Sequence, residues 1–135
     1  MKRRRRNDRT GAVAVEMALT LPLLFFIVFT SIEFSRMNVI QHTVDNAAYE
    51  AARRGIVPGA TEQDVDDVAR SIMRTCGARG VEVTVNPSNI QLDSPEITVT
   101  VAVEADQNGF LAPRFFRGES LIGRSTLTRE VLQRN

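Results

Sequence analysis

From Ala12 to Ile32 the chain runs for 21 residues with a single charged side chain, Glu16. As a helix, at about 1.5 Å per residue, this run measures roughly 31 Å, close to the thickness of a bilayer hydrocarbon core. No other feature narrows the choice of fold as far, because a lone segment in lipid must satisfy its own backbone and a helix does so. A carboxylate in the entry turn of such a helix is costly, which makes Glu16 a functional candidate.

Charge is distributed unevenly around this run. The segment up to Gly11 holds six basic residues, Lys2, Arg3, Arg4, Arg5, Arg6 and Arg9, against Asp8. The remainder holds 11 basic and 15 acidic residues and is net acidic. A basic tract ahead of an apolar span places the N-terminus on the cytoplasmic side and the body outside the cytoplasm. An acidic body argues against nucleic acid as a partner. A secretory signal peptide has a shorter apolar core and a small-x-small cleavage site. Thr30-Ser31-Ile32-Glu33-Phe34-Ser35 offers a poor one, so the run is expected to stay as an anchor.

Helical spacing continues beyond Ile32. Met37, Ile40, Val44, Ala47, Ala48 and Ala51 recur on one face, with no Gly or Pro between Arg36 and Arg54. One helix from Ala12 to Arg54 is predicted, ended by Gly55, Pro58 and Gly59. Pro22 inside it removes one backbone hydrogen bond, which membrane helices tolerate. Thr61-Glu62-Gln63-Asp64 reads as a capping box opening a second helix. Val65, Val68, Ala69, Ile72, Met73 and Cys76 form its apolar stripe, and Gly77 closes it. The period then falls to two. Val81, Val83 and Val85 alternate with Glu82 and Thr84, and Ile97, Val99, Val101 and Val103 with Thr98, Thr100, Ala102 and Glu104. Gln107-Asn108-Gly109 is expected to turn the chain, and Glu119–Leu132 to supply a third strand.

The fold class is α+β: a long N-terminal transmembrane and amphipathic helix, a second helix, and a small antiparallel sheet of about three strands. The organisation is a cationic leader at 1–11, a transmembrane helix at 12–32, its amphipathic continuation at 33–54, and an extracytoplasmic domain at 55–135. That domain should bury Ile40, Val44, Ala48 and Ala51 against Val65, Val68, Ile72, Met73 and the valine face of the strands.

Gly11-Ala12-Val13-Ala14-Val15-Glu16, then Leu21-Pro22-Leu23-Leu24, then Ile32-Glu33-Phe34-Ser35-Arg36 together resemble the TadE-like family, pseudopilins of the tight-adherence (Flp, type IVb) pilus system. The resemblance covers roughly residues 10–55, and the rest agrees only in architecture. It implies a pilin-like fold and a processing site at Gly11 and Ala12, cut by a prepilin peptidase on the cytoplasmic face. It also implies that Glu16 pairs with the Ala12 amine of a neighbouring subunit. Met17 stands where the major pilins carry Tyr, and the chain is longer than theirs, which points to a minor subunit.

Two classes of function follow. The first is a membrane-anchored minor pseudopilin in the inner membrane, single pass, whose partners are the prepilin peptidase, other pilin or pseudopilin subunits and the assembly machinery. The second is a signal-anchored extracytoplasmic domain that binds a partner, is not processed and enters no filament. An enzyme is not expected, because no nucleophile is paired with a base and the one histidine, His42, falls on a polar helix face. No cofactor, metal or small-molecule substrate is expected: one Cys and one His give no ligand-like spacing. Phe110, Leu111, Phe115 and Phe116 form an apolar loop that either finishes the small core or, through Phe110, Phe115 and Phe116, meets a partner.

Overall fold

The structure is a computed structural model that describes residues 7–91, 94–109 and 118–129. Its chain order is α1 (Asn7–Gly55), α2 (Glu62–Thr75), β1 (Val81–Asn86), β2 (Glu96–Glu104), a single 3-10 turn (Ala105–Gln107) and β3 (Ser120–Thr128). The sheet is antiparallel throughout, in the order β1-β2-β3. The architecture is α+β, as the periodicities predict.

α1 is unbroken over 49 residues and passes through Pro22. It begins five residues before the predicted start at Ala12. Nothing between Asn7 and Ala12 prevents this: the stretch has no proline, and one glycine near an end costs about 1 kcal/mol at most.

The apolar face of α1 changes surroundings near Ile32. From Thr10 to Ile32 every residue is exposed. Beyond it, Ile40, Val44, Ala47, Ala48, Ala51 and Ala52 are fully buried against Val65, Ala69 and Met73 of α2 and Ile97, Val99, Val101 and Val103 of β2. Val68 and Ile72, expected in this core, lie half-buried at its rim. Each fully buried valine or isoleucine removes enough apolar surface from water to stabilise the fold by about 1.5–3 kcal/mol. The four alanines keep α1 slim where α2 and the sheet close on it.

β2 is the central strand and alternates strictly, with Ile97, Val99, Val101 and Val103 inward. β3 turns Leu121, Gly123, Ser125 and Leu127 to the same side. The outer face is polar apart from the facing pair Ala102 and Ile122. Thr98 and Thr126 stand opposite each other with hydroxyls 2.9 Å apart, and Arg124 Nε donates to Thr100 Oγ1 at 3.3 Å. A sheet with one face on helices and one in water produces this alternation. The predicted third strand ends as a ladder at Thr128, and residues 130–132 lie outside the described residues.

α2 opens on the predicted capping box: Asp64 N donates to Thr61 Oγ1 at 3.2 Å, and Thr61 N donates to Asp64 Oδ2 at 2.9 Å. Gly77, at φ +66, adopts the left-handed conformation after its C-cap, Cys76. The Cys76 thiol is half-buried against the core and lies 3.1 Å from the Met73 carbonyl oxygen.

Candidate membrane-span and assembly site

The exposed half of α1 is the one helix among the described residues long and apolar enough to cross a membrane, and none of its most apolar window is buried inside the protein. A core helix of a soluble protein would be covered by the fold. This one leaves Leu19, Leu23, Phe26 and Ile27 more than half exposed, which fits a single-pass anchor. Its hydroxyls are satisfied within the helix. Thr20 donates to the Glu16 carbonyl at 2.9 Å, Thr30 to that of Phe26 at 2.7 Å and Ser31 to that of Ile27 at 2.8 Å. Such back-bonding lets polar side chains sit in lipid without orphaned donors. Phe25 and Phe29 stack one turn apart, with ring centroids 6.1 Å from each other.

Glu16 projects from this surface, exposed, about 6 Å along the axis from Ala12. Gly11 and Ala12 lie inside α1, and a Cβ placed on Gly11 would meet nothing within 4 Å. The subunit's own packing therefore makes no demand for glycine at this position.

At the other end of the span, the domain meets the helix without a linker. Glu33, the residue after the apolar run, is only 5% exposed. A Cβ on Gly109 would come within 2.7 Å of Glu33 Oε1, so the bare backbone of Gly109 is what lets the carboxylate lie there. One turn on, Arg36 Nε donates to the Asn108 carbonyl oxygen at 2.8 Å. Asn108 is itself buried. Its Oδ1 accepts from Arg79 N at 2.8 Å, and its Nδ2 donates to Arg79 O at 2.9 Å and to Glu104 O at 2.8 Å. In place of the simple turn expected at Gln107–Gly109, a 3-10 turn delivers a side chain that bonds the loop before β1 and the end of β2, and a carbonyl that bonds α1.

The far end of α1 is held by Arg129, 8% exposed at the end of β3. Its guanidinium donates to the carbonyls of Gly55 at 2.8 Å, Ile56 at 3.0 Å and Gln91 at 2.8 Å. A cation over the last carbonyls of a helix meets both their orphaned acceptors and the negative end of the dipole. The sequence marks Asn108 only as part of a turn and Arg129 only as part of the third strand, and neither pattern reveals the bonds each makes to distant backbone.

Of the remaining candidates, His42 is exposed on α1. Phe110, Leu111, Phe115 and Phe116 lie outside the described residues.

Residues 11–53 match the family model described as TadE-like protein. The matched stretch is the part of α1 that holds Gly11, Ala12, Glu16, Glu33 and Arg36, and it ends two residues before the helix does. The match covers α1 alone, so it is this helix that is similar to TadE-like proteins. No match is found among curated proteins or among solved structures.

Proposed function

We propose that this chain is a membrane-anchored minor pseudopilin that takes part in assembling a tight-adherence (Flp, type IVb) pilus. It is inserted in the bacterial inner membrane with its leader cytoplasmic and its domain outside. It is cut after Gly11 by a prepilin peptidase and acts by contact with other subunits, not by catalysis. The observation that supports this most is the TadE-like match over residues 11–53, with Glu16 as the one ionisable side chain between Ala12 and Ile32.

Cutting after Gly11 creates an amine on Ala12, one turn from Glu16. Within one helix the two are offset along the axis. Between two parallel helices staggered by about 6 Å they come level. Opposite charges about 4 Å apart attract by about 4 kcal/mol at an effective dielectric of about 20, whereas an unpaired carboxylate in lipid is penalised. The apolar surface of α1 supplies adhesion without register, and the charge pair supplies register.

Replacement of Glu16 tests this. Glu16→Ala inserts into the membrane at least as well as the parent chain, because a costly group is removed. It loses incorporation into the pilus or association with other subunits, and Glu16→Gln loses it too. Normal assembly by both variants contradicts the pairing.

A further inference from the structure

If Glu16 pairs with a neighbour's Ala12 amine, as proposed above, the direction of Glu16 sets which flank of the domain that neighbour occupies. α1 is a continuous helix from Asn7 to Gly55, so a direction defined at Glu16 can be followed up to the domain. At about 100° per residue, Phe34 falls on the line of Glu16, and Gln41 and Asp45 fall within about 20° on either side of it. These residues mark the border between α1 and β3. Gln41 Nε2 donates to the Ile122 carbonyl at 3.3 Å, and a Cβ on Gly123 would lie 2.9 Å from the Asp45 Cα. The carboxylate therefore points out beneath β3.

That flank is uncovered among the described residues. β3 is an end strand of the sheet, nine residues long, with no proline and one charge, Arg124. Phe34 is 73% exposed, the highest value among the exposed large apolar side chains outside the span, and Ile122 is 55% exposed. Long unpaired edges and exposed aromatics are features that chains either blunt or use. The opposite flank of α1, with Ser35, His42 and Asn46 around Val39, is mostly polar.

We infer that the flank formed by Phe34 and β3, with Ile122, receives a second copy of this chain, the copy whose Ala12 amine meets Glu16. One chain supplies both members of the charge pair, and the parallel anchoring of two copies brings their domains side by side above it. The pair in the membrane and the apolar contact above it are then one continuous interface that follows α1 from Glu16 to Phe34 and passes round the edge of β3 to Ile122.

A photo-crosslinking amino acid placed singly at Thr20, Phe34, Ile122 or Val39 of the full-length chain, in its own membranes, tests this. Thr20 lies one turn beyond Glu16 and reports the pairing itself. The expected result is a two-chain adduct from Thr20, Phe34 and Ile122, lost when Glu16→Ala is added, and little adduct from Val39. An adduct from Thr20 with none from Phe34 and Ile122 overturns the flank assignment and leaves the pairing standing. No adduct from any position overturns both. Adducts from Phe34 and Ile122 that survive Glu16→Ala, that are matched at Val39, or that join a different protein also overturn the assignment.

Discussion

Arg36 donates from Nε to the carbonyl oxygen of Asn108 at 2.8 Å, four residues past the end of the apolar run. At about 1.5 Å per residue the contact lies about 6 Å along the axis from Ile32. The domain is thus bonded to the helix just past the end of the apolar run. Removing the Asn108 side chain in Asn108→Ala orphans the backbone N–H and carbonyl of Arg79 and leaves Glu104 O without its side-chain donor. It should cost about 1–3 kcal/mol, since each of the three bonds lost is only partly buried and is worth about 0.5–1.5 kcal/mol. Arg36→Met removes the bond to the Asn108 carbonyl and should also destabilise the domain. Denaturant unfolding of each variant against the parent chain in the same detergent checks this, and parental stability in either contradicts it.

Gly123 allows helix and strand to touch backbone to backbone. A Cβ there would stand 2.8 Å from both the carbonyl carbon and the carbonyl oxygen of Val44, atoms that cannot rotate away. Gly123→Ala should therefore destabilise the domain by about 1–3 kcal/mol, as overpacking does. The usual gain from stiffening a strand glycine should not appear. Thermal melting settles the sign, and a variant as stable as the parent shows that α1 can lift off β3 freely.

Much of this was readable from the chain. The change of period from 3.6 to 2 after Gly77, the alternation of Ile97 to Val103 and the capping box at Thr61 are local signals, each carried by residues close in sequence. The ties that fix α1 to the sheet were not readable. Gly123, Asn108 and Arg129 act on residues that are 79, 72 and 74 positions away, and a single glycine, asparagine or arginine has no periodicity to reveal a partner. The periodicity starts α1 five residues late for a related reason. A cationic leader reads as a flank to an apolar run even where nothing in it stops a helix. Gly11, Ala12 and Glu16 were legible through their spacing, whereas the burial of Glu33 by Gly109 depended on the fold.

The Asp64 carboxyl is held at about 2, below its ordinary 3.8, chiefly by the Thr61 backbone N–H and then by the Thr61 hydroxyl and Arg54. Because the folded value is depressed, its contribution is fully present above the ordinary value and is lost as pH falls through the folded one. The stability difference between the parent chain and Asp64→Asn should hold steady above about pH 5 and close between about pH 4 and 2. Melting curves across that range check it, and a difference that grows on acidification contradicts the cap as drawn.

Processing at Gly11 is the step on which the account depends, because the Ala12 amine exists only after it. The direct measurement is the intact mass of the chain extracted from membranes of cells with an active prepilin peptidase. The account predicts a chain that begins at Ala12, and accumulation of the precursor when Gly11 is replaced by a bulky residue. A mass corresponding to the full chain from Met1, in every membrane fraction, contradicts it and leaves an unprocessed anchored domain in its place.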